Sequence, residues 1–348
     1  MNGELTRGAS VLHLLEAIAL PWLECTEVTE ICVNRPKEVW CQRSGLWSKH
    51  DMPDMTLQHL ESFATAVAKF VSNDVSDVRP ILSAILPKGE RVQIVRPPAC
   101  EHGTISVTIR KPSESVYTLD DYQKQGFFDT VPAAPTDITD SQQKLIELKE
   151  SGDMRAFLTR AVLSGQNIVI AGETNSGKTT LMKALIQEIP TDQRLITIED
   201  VPELFLPIHP NHAHLFYQAA FADTSSAEVT ATALLKCCLR MNPDRIMLAE
   251  LRGGETYDFL NVAASGHGGS ITSVHAGSCE LTFERMALMV LQSPQGQALP
   301  YEVIKRLLYL VVDIVVHVHN DVGGVGRHIT DVWYEPSRKQ AAVSEVLS

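Results

Sequence analysis

The nonapeptide Gly172-Glu173-Thr174-Asn175-Ser176-Gly177-Lys178-Thr179-Thr180 fits G-x-x-x-x-G-K-[ST], a spacing that cradles nucleotide phosphates. Gly172 and Gly177 let the backbone turn tightly, so that successive N–H groups converge on an anion. Lys178 is spaced to reach the β- and γ-phosphates, and the Thr179 hydroxyl to hold Mg²⁺. Glu250 follows the apolar run Ile246-Met247-Leu248-Ala249. A carboxylate at the carboxyl end of a buried strand can hold Mg²⁺ through water or polarise an attacking water. Glu199 and Asp200 end a second such run, Leu195 to Ile198, and suit the same work. Gly266-His267-Gly268-Gly269-Ser270 opens a strand ending in His275, whose imidazole could donate to a γ-phosphate. Arg91, Arg96 and Arg110 are of a type suited to bidentate phosphate contact. Each has a plainer reading: a solvated strand end, a structural strand histidine, a surface arginine. His209, His212 and His214 (HPNHAH) have no Cys or acidic partner at metal-ligand spacing and read as a surface loop. His317 and His319 share one strand face and carry no metal signal either.

These residues need elements to hold them. Ile168 to Ala171 reads as a buried strand running into the loop; Thr179 to Ile189 continues as a helix, stopped by Pro190. The helix N-terminus adds partial positive charge where phosphates would sit. From Ser141 onward long helical patterns alternate with short strands at Ile168–Ala171, Leu195–Ile198, Ile246–Ala249, Ser270–His275 and Asp313–Val318. That alternation predicts an α/β fold with a parallel sheet flanked by helices. The first third reads as a smaller α+β module. Its strands are expected at Val28–Val33, Glu38–Cys41, Arg91–Val95 and Thr104–Ile109, and a helix over Leu57–Val71. Val131 to Thr139 (VPAAPTDIT) has no helical period and reads as a linker. The expected division is 1–130, a linker at 131–140, and 141–348.

The chain has 348 residues, more than one typical core organises, which favours two domains. Its net charge of −12 argues against a dedicated nucleic-acid binder, and no sequence-specific nucleic-acid partner is expected. Leu307 to Val316 is too short to span a membrane and carries Asp313; it reads as a helix end followed by a buried strand. Val11 to Leu20 is broken by His13 and Glu16 and reads as a short amphipathic helix, not an export signal. That helix permits peripheral membrane contact. Seven cysteines without a C-x-x-C pair fit reduced thiols in the cytoplasm, with Cys237 and Cys238 on a helix.

Taken together, the motifs resemble those of the secretion (traffic) ATPases, over nearly the whole chain. ITIEDVPEL (196–204) looks like that family's acidic box, and LRMNPDRIMLAELRGGE (239–255) like its second nucleotide motif. ASGHGGSITSVHAGS (264–278) is similar to its histidine box, and GERVQIVRPP (89–98) and GTISVTIRKP (103–112) to its arginine-bearing segments. The chain lacks the paired C-x-x-C insertion of the type II branch, which favours the type IV secretion branch over it; pilus-retraction ATPases are not separated by motifs alone. The resemblance implies a RecA-like C-terminal domain, ATP and Mg²⁺ as cofactors, and a homo-hexameric ring. ATP would lie between the two domains. It implies roles for Glu199, Glu250 and His275 at the phosphates, and for Arg91 and Arg110 as N-domain arginines approaching them. Which of Glu199 and Glu250 activates water stays open. The implied partners are cytoplasmic or inner-membrane components of a secretion machine. Two competing readings remain: a hexameric nucleic-acid motor, and a scaffold that binds ATP without turning it over. Lys178, Thr179, Glu199 and Glu250 argue against the scaffold.

Overall fold

The computed structural model describes residues 2–113, 116–130, 138–218 and 229–347. The chain opens with α1 (Asn2–Leu23), β1 (Val28–Val33), β2 (Glu38–Arg43), β3 (Leu46–Asp51) and α2 (Leu57–Phe70). β4 (Ile81–Ile85), β5 (Arg91–Val95), β6 (Ser106–Arg110) and the short α3 (Leu119–Lys124) follow. The six strands form one antiparallel sheet in the order β3-β2-β1-β6-β5-β4. Leu15 and Ile18 of α1 and Leu60, Phe63 and Val67 of α2 share a core with Ile31, Ile94 and Val107 of the sheet.

The expected helix at Val11–Leu20 is only the middle of α1. Val11, Leu15, Ile18, Ala19 and Trp22 are buried at helical spacing, so packing carries the helix past Pro21. Strand β6 starts at Ser106, two residues later than expected. Strands β3 and β4 were not expected. Residue for residue, β3 (LWSKHD) is half-exposed and polar, and pairing with β2 along its whole length holds it.

The second half runs α4 (Asp140–Glu150), α5 (Met154–Leu163), β7 (Ile168–Gly172), α6 (Lys178–Gln187), β8 (Leu195–Glu199) and β9 (His212–Phe216). It continues with α7 (Ala231–Cys238), β10 (Arg245–Leu251), α8 (Glu255–Ala264), β11 (Ile271–Val274) and α9 (Cys279–Val290). It ends with α10 (Tyr301–Val311), β12 (Ile314–Asp321), β13 (Gly326–Trp333) and α11 (Pro336–Leu347). The sheet order is β13-β12-β7-β11-β10-β8-β9, parallel throughout except for the β12–β13 hairpin. Helices cover both faces, which is why its inner strands are apolar throughout and do not alternate. The period of two survives as a choice of core. Val169 and Ala171 of β7 pack with α7 to α10, whereas Ile168 and Ile170 pack with α5 and α6. Of the expected linker, residues 131–137 lie outside the described residues.

The HPNHAH segment is not a surface loop. His212 and His214 lie on β9, the edge strand, and His209 and Asn211 are fully buried. Parallel pairing with β8 supplies the backbone partners that the proline-interrupted sequence does not advertise. The two sheets also meet here. Phe216 N donates to Ala99 O (2.9 Å), and Val95, Ala99 and Cys100 belong to the C-terminal core. At the amino ends of β8, β9 and β10, buried Arg194 donates through Nη1 to Asn34 Oδ1 and Asn211 Oδ1, both at 2.7 Å. Trp47 Nε1 donates to Asp244 Oδ2 (3.2 Å) and Asn242 Nδ2 to Gln42 Oε1 (3.0 Å). All seven cysteines are free, and all but Cys25 are buried. No helix among the described residues is long and apolar enough to cross a membrane.

Candidate active site

The phosphate loop stands where the parallel sheet changes direction of travel. β7 is central, flanked by β12 on one side and β11 on the other, and the loop leaves its carboxyl end. Such crevices at the carboxyl edge of a parallel sheet bind ligands. A Cβ at Gly172 would lie 2.4 Å from Val318 O, so only glycine fits there. Gly177 (φ 100°) and Asn175 (φ 64°) take left-handed conformations that turn the loop's backbone inward. Thr56, Thr118, Thr139, Asp153, Thr230 and Ser278 cap other helices, but α6, like α8 and α10, has no side-chain cap, and its N-cap is Gly177. Its first N–H groups are left for an anion. Glu173, Thr174, Asn175 and Thr180 are exposed along the loop, while Thr179 is half-buried on the first helical turn.

Lys178 is buried and folded back on its own loop. Nζ donates to Gly172 O and Glu173 O, each at 2.9 Å, and lies 3.2 Å from His275 Nδ1. Burial pushes its pKa down, and the Glu250 carboxylate pulls it back up. His275 follows β11, one residue past its end. An ammonium only donates, so Nδ1 accepts from Lys178 and Nε2 carries the proton. Nε2 lies 2.8 Å from Glu250 Oε1, but out of hydrogen-bond line, so that buried oxygen has no hydrogen-bond partner among the described residues. The other oxygen of Glu250 takes Arg252 Nε (2.8 Å), and Arg252 Nη1 reaches Asp200 Oδ2. One chain of contacts therefore runs Lys178–His275–Glu250–Arg252–Asp200 along the carboxyl edge.

Glu199 stands apart from that chain. It is fully buried, and its Oε2 accepts from Glu203 N and Leu204 N at 2.8 Å each. Its Oε1 accepts from Thr197 Oγ1 (2.6 Å) and lies 3.3 Å from His214 Nδ1. These donors saturate the carboxylate and use it to hold the turn after β8. Arg91 and Arg110 are cross-strand partners on β5 and β6. Arg110 lies 3.5 Å from buried Glu30, in a groove of about 920 Å³ that also reaches Asn242. Asn242 precedes β10, so this groove is at the amino end of the C-terminal sheet and the phosphate loop is at the carboxyl end. Within one chain the two arginines do not meet the loop. Arg96 ion-pairs with Asp77 (3.0 Å).

Mg²⁺ fits the residues present. Glu250 Oε1 and Ser176 Oγ are buried without hydrogen-bond partners among the described residues, and the Thr179 side chain stands one residue past Lys178. No group of three or more His, Cys, Asp or Glu among the described residues could hold a metal by itself. Mg²⁺ keeps waters and substrate phosphates in its shell and asks few ligands of the protein.

The geometry agrees with what the chain is similar to. The Type II/IV secretion system protein family matches residues 21–317. The chain belongs to this family. Its members here include the type IV secretion system protein VirB11 of Brucella abortus, 65% identical over 96% of this chain and 92% of that protein. A Bordetella bronchiseptica homolog of the type IV secretion protein PtlH is 45% identical over 94% of this chain and 96% of its own. The crystal structure of the VirB11 ATPase of Brucella suis, in complex with sulphate, superimposes with TM-score 0.94 at 63% identity, covering 99% and 100% of the two chains. This type IV secretion ATPase therefore has the RecA-like fold and hydrolyses ATP. Reading the residues alone did not single out Arg252, although it lies two residues past Glu250. It also missed Thr197 and His214, which reach Glu199 across a strand pairing that spacing does not reveal.

Proposed function

We propose that the chain is an Mg²⁺-dependent ATPase that energises type IV secretion from a homo-hexameric ring, working in the cytoplasm, peripheral to the inner membrane. The observation that carries the chemistry is the contact chain from Lys178 through His275 to Glu250 beside an uncapped helix start. Lys178 rests on two loop carbonyls, and an arriving polyphosphate would exchange those neutral acceptors for anionic ones, which bind an ammonium more strongly. Bound Mg²⁺, held by Thr179 and through water by Glu250, would neutralise phosphate charge. Glu250, whose inner oxygen has no donor, is the carboxylate free to take a proton from water; Glu199 is committed to its turn. His275 would sense the γ-phosphate, a reading supported by its contacts with both Lys178 and Glu250.

The arginines give the ring its purpose. Residues 1–130 are bound to 141–348 of the same chain through Arg194, Asn34, Trp47 and Ala99, which favours keeping that contact intact. Arg91 and Arg110 are then delivered to a phosphate loop by the module of an adjacent copy. Phosphate contacts made with ATP and lost with ADP supply the differential affinity that such opening and closing needs. Other secretion-machine components receive the work.

Phosphate release and nucleotide binding by Glu250→Gln and Glu199→Gln test the assignment. Glu250→Gln should keep ATP binding and lose turnover by about 100-fold or more. Glu199→Gln should lower Tm, because two backbone N–H groups lose an anionic acceptor. Near-normal turnover by Glu250→Gln would remove it from the chemistry.

A further inference from the structure

The β12–β13 hairpin backs the phosphate loop with a side chain that the motif does not contain. Arg327, near the start of β13, lies across Asn175 and Gly177. Its Nε donates to Asn175 O (3.2 Å), and its Cδ would lie 3.0 Å from a Cβ built at Gly177. The carbonyl it holds belongs to a residue with φ 64°, a conformation that costs energy outside glycine. Arg327 is exposed, and its two Nη groups have no hydrogen-bond partner among the described residues.

We propose that Arg327 is a further nucleotide-binding residue: Nε straps the loop in its turned form and the Nη groups donate to the polyphosphate. A guanidinium is planar, with its donors in a fixed fork. Anchoring Nε at Asn175 orients that plane before ligand arrives, which lowers the ordering cost of binding. Lys178 reaches the loop from α6, whereas Arg327 reaches it from the opposite element, the hairpin at the sheet edge. The two cations thus hold the loop from separate elements. A surface arginine that only straps the loop is the competing account. The inference rests on the ATP-binding reading of the loop.

Calorimetric titration of the full chain with ATP and with inorganic pyrophosphate tests it, in the wild type and in Arg327→Ala, Arg327→Gln and Arg327→Lys. Loss of a charged donor should weaken both ligands about tenfold or more in the Ala and Gln variants. The Lys variant should lose less. The thermal midpoint without ligand should fall only slightly, because an exposed side chain with a single hydrogen bond is lost; if the Ala variant unfolds, Arg327→Gln carries the comparison. Glutamine can still donate to Asn175 O but brings no charge. Wild-type affinity in Arg327→Gln would therefore overturn the phosphate contact and leave only the strap. Weakened ATP binding with unchanged pyrophosphate binding would also overturn it, by moving the contact to the nucleoside. No uptake of ATP by the wild type would sink the underlying reading of the loop, independently of any variant.

Discussion

Lys178 is the residue on which most depends. It is the buried cation of the loop, and it is bonded to the loop's own carbonyls. Lys178→Ala should abolish phosphate release while leaving the fold intact, since its partners, two loop carbonyls and the half-exposed His275 ring, can turn to water once the side chain is gone. Near-normal turnover would contradict the mechanism. Glu30 makes a separate prediction. Burial raises its pKa to about 7, opposed by Arg110 and Arg194. The folded pKa is above the unfolded one, so the native state binds the proton more tightly between the two values. Stability from this group is fully present below about 4.5 and is lost as pH rises through about 7. Glu30→Gln removes the charge that is costly above that point. It should raise stability at pH 8 by about 1–3 kcal/mol and change little at pH 4, as thermal melts at both values would show.

At the scale of elements, the phosphate loop depends on the strand beside it as much as on its own residues. β12 brings Val318 O against Gly172, leaving no room for a methyl group. Gly172→Ala should cost about 1–3 kcal/mol of stability and most of the nucleotide affinity, because either the loop or β12 must move. An alanine variant with wild-type melting and wild-type ATP binding would show that the contact yields without cost. β9 illustrates the reverse dependence. Its histidines looked like a loop because Pro210 interrupts them, yet Thr197 and Glu199 on β8 give His214 partners only when the strands pair. Burial, with Arg35 nearby, lowers the His212 pKa to about 4, which suits a neutral ring inside this edge.

At the scale of the whole molecule, the groove holding Arg110 and the phosphate loop lie at opposite ends of the C-terminal sheet. The proposed ring would resolve this by pairing one copy's module with another copy's loop. Arg110→Ala and Lys178→Ala, each inactive alone, should then recover part of the activity when mixed, because some interfaces regain both groups. No recovery in mixtures whose subunits are shown to exchange would return the arginines to their own chain. Particle mass with and without a non-hydrolysable ATP analogue measures the ring directly.

Much of this was legible in the residues because it is local. The loop, its strand and its helix lie within about twenty consecutive positions, and the boxes around Glu199, Glu250 and His275 each end a short apolar strand. What spacing could not show depends on residues far apart in the chain. Sheet order sets Lys178 beside His275 and His275 beside Glu250. It gives Glu199 to a turn and its neighbours, and it brings Arg327 back across 152 positions to Asn175. A carboxylate at a strand end is the same in sequence whether its oxygens are saturated or free, and only the packing around it decides which one can act.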